Sequence, residues 1–254
     1  MDKRIGAQLY TLRDYTQTKE DFENTIKRVR EIGYKTVQLS AIGDIPAADI
    51  KAICDKYGVV PVCTHRSWTE YTQNIDWSIN FHKEIGCNIA GLGAYPNLWQ
   101  GISKDDMIKS VEIMNEIYDK FAQNGIDFAY HNHSVEFMKI EGQFIMDYFL
   151  EHGKFDFIVD VYWLAYAGIN PADYIKKMGK RAKVIHFKDM KIVVGEKPHE
   201  MAEVMEGNLD WDSIIEASEE AGAQWAMVEQ DVCQRDPFES LTISYNNLTK
   251  KGFN

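Results

Sequence analysis

Two textures alternate along the chain from one end to the other. Short apolar runs of strand length lie at 5–11, 36–40, 59–65, 89–93, 126–133, 155–161, 182–188 and 225–230. Each is followed by a longer polar segment, at 19–32, 46–57, 75–86, 103–124, 142–153, 171–179, 210–221 and 237–250, with apolar residues at helical spacing. Boundary residues agree with this division. Thr18 precedes Lys19, Glu20 and Asp21, and Ser103 precedes Lys104, Asp105 and Asp106. In both, an N-cap hydroxyl stands before acidic residues, where the helix dipole favours negative charge. Asn208 or Asp210 is expected to cap the segment at 210–221. Gly33, Gly58, Gly86, Gly125, Gly153 and Gly222 each close a helical segment just before the next strand, where a left-handed C-cap residue is expected.

Eight strand–helix repeats of about 32 residues imply parallel strands joined by right-handed crossovers. Eight such units close into a (β/α)8 barrel, the TIM-barrel architecture, and the expectation is a single α/β domain over 1–254. A doubly wound open sheet is the alternative. No GxGxxG follows the first strand, however, where such a sheet would place its phosphate loop.

Composition narrows the function classes. The chain has 254 residues, 45% of them hydrophobic and 26% charged, enough to bury a core without cross-links. A net charge of −11 argues against the basic footprint of a nucleic-acid binder. No apolar run reaches the roughly 18 residues of a membrane helix. The opening MDKRIGAQLY has no apolar stretch of the secretory type, and Cys54, Cys63, Cys87 and Cys233 show no CxxC spacing. Reduced thiols in a cytoplasmic protein are expected.

In a barrel of this kind, chemistry is built on the C-terminal ends of the strands. Those ends carry Gln8 and Tyr10, Gln38 and Ser40, and His65 and Arg66 with Trp68 beyond. Further on come His131, Asn132 and His133 with Glu136 beyond, then Asp160 with Trp163, His186 with Lys188 and Asp189, and Glu229 with Asp231. Side chains alternate along a strand, so His131 and His133 share one side while Asn132 faces the other. Imidazoles and carboxylates end strands five to eight, which are neighbours around a barrel. Buried carboxylates converging without a counter-charge would be costly to ionise. A divalent cation removes that cost, and His, Asp and Glu suit manganese, zinc, cobalt or iron. Lys188 is expected on the same side as His186, where it steadies a developing negative charge or pairs with Asp160 or Glu229. Tyr10, Trp68, Trp99 and Trp163 near the rim suit the apolar face of a sugar ring.

These motifs, in this order, resemble the xylose isomerase-like barrel superfamily, in the group labelled sugar phosphate isomerase/epimerase. The resemblance is carried by GAQLYTLR at 6–13, YHNH at 130–133 with Glu136 and Phe137, DVYW at 160–163, HFKDM at 186–190, EGNLDW at 206–211, VEQD at 228–231 and DPFESL at 236–241. It implies one divalent metal ion (manganese, zinc, cobalt, iron or magnesium) held by Glu, Asp, His and Glu from strands five to eight. The last three fall on Asp160, His186 and Glu229. At the first position this chain departs from the pattern, so His131 or Glu136 is the implied fourth ligand. That departure removes one of the two carboxylates that serve sugar epimerases of the family as acid and base. The His-x-His arrangement is more similar to the inosose dehydratase branch and to enzymes acting on keto sugars.

The resemblance therefore implies a metal-dependent sugar isomerase or epimerase, or a closely related lyase, moving a proton beside a carbonyl of a small sugar. His131, His133, Glu229 and Lys188 are the implied catalytic groups. Tyr10, His65, Trp68, Trp163 and Glu136 are the expected substrate contacts, and relatives are often homo-oligomers. Alternatives are an inosose-dehydratase-like or 3-keto-glycoside lyase activity and a non-catalytic carbohydrate-binding subunit. A barrel resembling endonuclease IV is disfavoured by the acidic charge. No Gly-rich loop marks a phosphate site.

Overall fold

The computed structural model describes every residue except Lys197. Eight parallel strands form one sheet: β1 (Gly6–Gln8), β2 (Thr36–Ser40), β3 (Val60–His65), β4 (Ile89–Leu92), β5 (Asp127–His131), β6 (Asp156–Asp160), β7 (Ala182–Phe187) and β8 (Trp225–Val228). Their order is β3-β2-β1-β8-β7-β6-β5-β4, the sequence of neighbours in a ring cut between β3 and β4. A single parallel bridge between Arg66 and Leu92 joins those two edges, with Arg66 N donating to Gly91 O at 2.9 Å. The outer helices are α1 (Lys19–Ile32), α2 (Ala47–Tyr57), α3 (Ile75–Ile85), α4 (Lys104–Ala122), α5 (Ile145–His152), α6 (Pro171–Met178), α7 (Trp211–Ala221) and α8 (Pro237–Thr249). The chain is a TIM barrel, as the alternation of textures predicts.

The helix signals act as expected in detail. Thr18 Oγ1 accepts from Asp21 N at 3.1 Å, and Ser103 and Asp106 form a reciprocal capping box. Asp210 caps α7 by accepting from Ser213 N at 3.2 Å, while Asn208 is spent on Ile192 N at 2.8 Å. Gly153 differs from the other closing glycines. Its φ of −80° is open to any residue, but a Cβ there would lie 2.6 Å from Phe149 O and from the Phe155 ring. Close packing, not a left-handed turn, demands glycine at that position. All four cysteines are free, and among the described residues no helix is long and apolar enough to cross a membrane.

Six strands stop one to three residues before their apolar runs do, and at β1 and β5 a side-chain amide marks the end. At β1, Gln8 Oε1 accepts from Tyr10 N at 2.6 Å and starts a 3-10 turn, Leu9–Tyr15. At β5, the Asn132 amide replaces the ladder. Its Oδ1 accepts from Asp160 N at 2.9 Å and its Nδ2 donates to Asp160 O at 3.3 Å. That clamp ties the end of β5 to the end of β6.

The pleat sorts the barrel interior into two layers. Val62, Cys63, Ile89, Ala129, Ile158, Val184 and Met227 pack together as an apolar floor. Two residues further along the strands, the same inward parity brings up Gln8, Gln38, His131, Asp160, His186 and Glu229, all buried. The larger apolar cluster lies between the outer faces of the strands and the helices. Where α3 meets β3, buried His82 donates from Nδ1 to Ser78 O at 2.7 Å, leaving Nε2 to accept from Thr64 Oγ1 at 2.8 Å. Burial pushes its pKa down to about 4, partly offset by the Ser78 carbonyl.

A depressed histidine contributes stability that is full above its unfolded pKa near 6.5 and is lost as pH falls towards 4. Denaturant unfolding at pH 7.5 and 4.5 is expected to show a loss of ~2–3 kcal/mol in the wild type that is missing from His82→Gln. Identical pH dependence in the two proteins would contradict that assignment.

Candidate active site

At the C-terminal mouth, β5 to β8 each contribute one potential ligand to a single point. One nitrogen or oxygen from each of His131, Asp160, His186 and Glu229 lies within 4.8 Å of all the others. His131 Nε2 is 3.4 Å from Asp160 Oδ2, and His186 Nδ1 is 2.9 Å from Glu229 Oε2 and 3.7 Å from Asp160 Oδ2. Among the described residues none of these four atoms has a hydrogen-bond partner. Their other ends are tied down. His186 Nε2 donates to Gln38 Oε1 at 2.7 Å, which leaves the Nδ1 lone pair facing the cluster. Gln8 Nε2 donates to Glu229 Oε1 at 2.8 Å, and Trp163 N donates to Asp160 Oδ1 at 3.0 Å.

Buried polar atoms are ordinarily paired, so four orphans aimed at one another form a group that could hold a cation. Two imidazoles and two carboxylates are a suitable donor set for a divalent transition metal.

The electrostatics point the same way. Burial works against ionising Asp160 and Glu229, but Lys188 and the neighbouring imidazoles overcome it and hold both carboxyls below their ordinary range. Burial, with His133 and His186 adding to it against the pull of Asp160, pushes His131 down to about 4. It is therefore neutral and able to ligate. For His186, burial is outweighed by the facing Glu229 and Asp160 carboxylates, which raise its pKa to about 9. A proton and a divalent cation compete for that same lone pair.

Lys188 is buried with Nζ 2.6 Å from Asp231 Oδ1, 3.4 Å from Asp160 Oδ2 and 3.5 Å from Glu229 Oε2. Burial would strip its proton. The three carboxylates hold it charged, with its pKa above the ordinary lysine value.

A cavity of about 430 Å³ rises from this layer to solvent. Its walls include Tyr10, Ser40, His65, Arg66, Trp99, His131, His133, Trp163, Glu229 and Asp231. The His133 ring lies 4.6 Å from that of His131, between Trp99 at 4.8 Å and Trp163 at 5.8 Å. His65 stands against His131 and His186, with ring centroids 4.7 and 5.4 Å away, and burial pushes its pKa well below the ordinary value.

Two expected site residues lie elsewhere. Glu136 is not among the four clustered groups and does not line the cavity. Its Oε1 accepts from Tyr130 OH at 2.7 Å and its Oε2 from His133 N at 2.9 Å, so it braces the loop after β5. Of the two alternatives for the fourth ligand, His131 is the one that the geometry places with Asp160, His186 and Glu229. Trp68 opens the short helix Trp68–Gln73 and lines a separate surface cleft with Pro96, Gln100 and Lys109. Gln8, Gln38 and Asn132 orient the site although sequence reasoning gave them no role. The available signal was their position: amides at the ends of strands, two of them at the inward parity of Glu229 and His186.

A ring of eight parallel strands with its reactive groups on the C-terminal strand ends defines a TIM barrel with a mouth built for catalysis or ligand binding. The chain belongs to the xylose isomerase-like TIM barrel family, whose family model matches residues 26–240. Among solved structures it is similar to a sugar phosphate isomerase/epimerase from Parabacteroides distasonis ATCC 8503. That match has 25% identity, covers 100% of this chain and 96% of the other, and has a TM-score of 0.79. L-ribulose 3-epimerase shares the fold at 10% identity, 99% and 97% coverage and a TM-score of 0.74. The IOLI protein, solved with a zinc atom, shares it at 14% identity, 98% and 97% coverage and a TM-score of 0.71. No curated protein sequence matches the chain.

Proposed function

We propose that the protein is a divalent-metal-dependent sugar isomerase or epimerase that moves a proton beside the carbonyl of a small polyhydroxylated substrate. The observation that carries this reading is the set of four orphaned ligand atoms on His131, Asp160, His186 and Glu229, with charged Lys188 beside them. The names of the structural neighbours, two of them isomerases or epimerases and one with zinc, support it. A divalent ion held by those four residues would supply Lewis acidity, polarising the carbonyl so that the adjacent C–H loses its proton more readily.

The remaining work falls to the chain itself. His133 on the cavity wall and Glu229 at its floor are within reach of a bound substrate and are the groups to take and return the proton. Lys188 steadies the negative charge that develops on the substrate oxygen, because it is already charged and fixed by three carboxylates. Trp99, Trp163 and Tyr10 offer flat apolar surface to the sugar ring.

β5 ends in imidazoles where related epimerases, by the resemblance, carry a second carboxylate. That feature favours a lyase outcome of the same proton removal as the second reading.

Lys188→Met tests the role of the lysine. The variant is expected to keep its metal while solvent-deuterium exchange into a ketose substrate falls by about 10²–10³-fold. Wild-type exchange in the variant would contradict the role.

A further inference from the structure

Beside the main cavity lies an annex of about 170 Å³ that shares its Ala41, His65 and Arg66 walls. Arg66 is the cation between the two spaces. Its guanidinium carbon sits 4.1 Å from the Phe81 ring centroid and 5.2 Å from that of Trp77, so its plane is pre-oriented by the aromatics on α3. The side chain is only 20% exposed. Glu70 approaches one nitrogen with Oε1 at 3.4 Å, an ion pair without hydrogen-bond alignment, while its Oε2 accepts from Ser67 N at 3.0 Å. Among the described residues the guanidinium makes no hydrogen bond, so apart from the loose ion pair with Glu70, which also lines the annex, its N–H donors are available. The annex wall is also deliberately bent: Ala41 sits at φ 52°, held there by Gln17 Nε2 donating to its carbonyl at 2.8 Å.

We infer that this annex is a subsite for an anionic group of the substrate, a carboxylate or a phosphate, received by the Arg66 fork. A planar, largely buried guanidinium lying over an aromatic ring suits bidentate anion recognition better than it suits a role in folding. His65 lines both spaces, so one substrate would present its carbonyl end to the His131–Asp160–His186–Glu229 cluster and its anionic end to Arg66. The substrate class is then a sugar acid or a sugar phosphate, and the inference rests on reading the main cavity as the substrate site.

Isothermal titration of the zinc-supplemented protein with inorganic phosphate, D-glucuronate and neutral D-glucose tests it, using wild type, Arg66→Gln and Arg66→Lys. One of the two anions is expected to bind wild type about tenfold or more tightly than Arg66→Gln, with Arg66→Lys between them. Whichever anion does so identifies the phosphate or the carboxylate source. Equal affinity of wild type and Arg66→Gln for both anions, or no binding of either, would overturn the subsite. Direct ligation of the anion to zinc gives that equal-affinity result. The metal content of each sample is read separately, so a protein without metal that still loses anion affinity in Arg66→Gln would retain the subsite and lose the reaction class.

Discussion

Asp189→Ala is expected to cost about 4 kcal/mol of stability while leaving the metal stoichiometry of the folded protein unchanged. Asp189 follows Lys188 and has the opposite parity, so its carboxylate turns away from the mouth. It accepts five donors there: Met190 N at 2.7 Å and Leu209 N at 3.3 Å on Oδ1, then Met205 N at 2.9 Å, Gly207 N at 3.0 Å and Trp211 Nε1 at 2.6 Å on Oδ2. Together these bonds fold the segment that joins the hairpin strand His199–Ala202 to α7 around one buried carboxylate. Gly207 is required for that fit, since a Cβ there would lie 2.4 Å from Asp189 Oδ1. Alanine would leave five N–H groups without their acceptor, and each buried donor left unmade costs about 1–3 kcal/mol unless water reaches it. Urea unfolding measures the loss. A change below about 1 kcal/mol would mean that the segment is held by its apolar contacts instead.

Glu229→Gln is expected to abolish metal binding and turnover with little loss of stability. The substitution keeps the shape of the side chain and can keep the bond from Gln8 Nε2, because the amide oxygen accepts as Oε1 does now. Its NH2 would then occupy the position of Oε2, 2.9 Å from His186 Nδ1. Since His186 Nε2 already donates to Gln38, Nδ1 is the acceptor that this amide would fill. One change thus removes an anionic ligand and occupies the lone pair of a second. Metal affinity should fall by at least about 100-fold and activity beyond it, because Glu229 is also a proposed proton carrier.

Much of this was legible because strands obey a period of two. Ala129 and His131, Ile158 and Asp160, Val184 and His186 each step from the apolar floor to the polar layer by two residues. A sequence reading that finds the strands therefore also finds which side chains face inward. The eight-fold alternation likewise determines which strands are neighbours, so the convergence of β5 to β8 was readable before any geometry. What escaped depended on where the chain leaves the strand. Glu136 lies five residues after His131, near enough along the chain to reach the cluster, yet the turn after β5 points it at Tyr130 OH. Trp68 sits on a short helix whose direction no periodicity announces. The pairing of Lys188 with Asp231 across β7 and β8 depends on the loop after β8, and the cradle of Phe81 and Trp77 under Arg66 depends on how α3 packs against β3. These are tertiary facts with no local pattern to carry them.

The central claim is that His131, Asp160, His186 and Glu229 hold a catalytic divalent ion. Its most direct test is the metal content of the purified protein by mass spectrometry, after supply of manganese and of zinc, in the wild type and in Glu229→Gln. The account predicts about one equivalent of divalent metal in the wild type and essentially none in a Glu229→Gln protein that is equally well folded. A wild type that takes up neither metal, or a Glu229→Gln protein that retains a full equivalent, would contradict it.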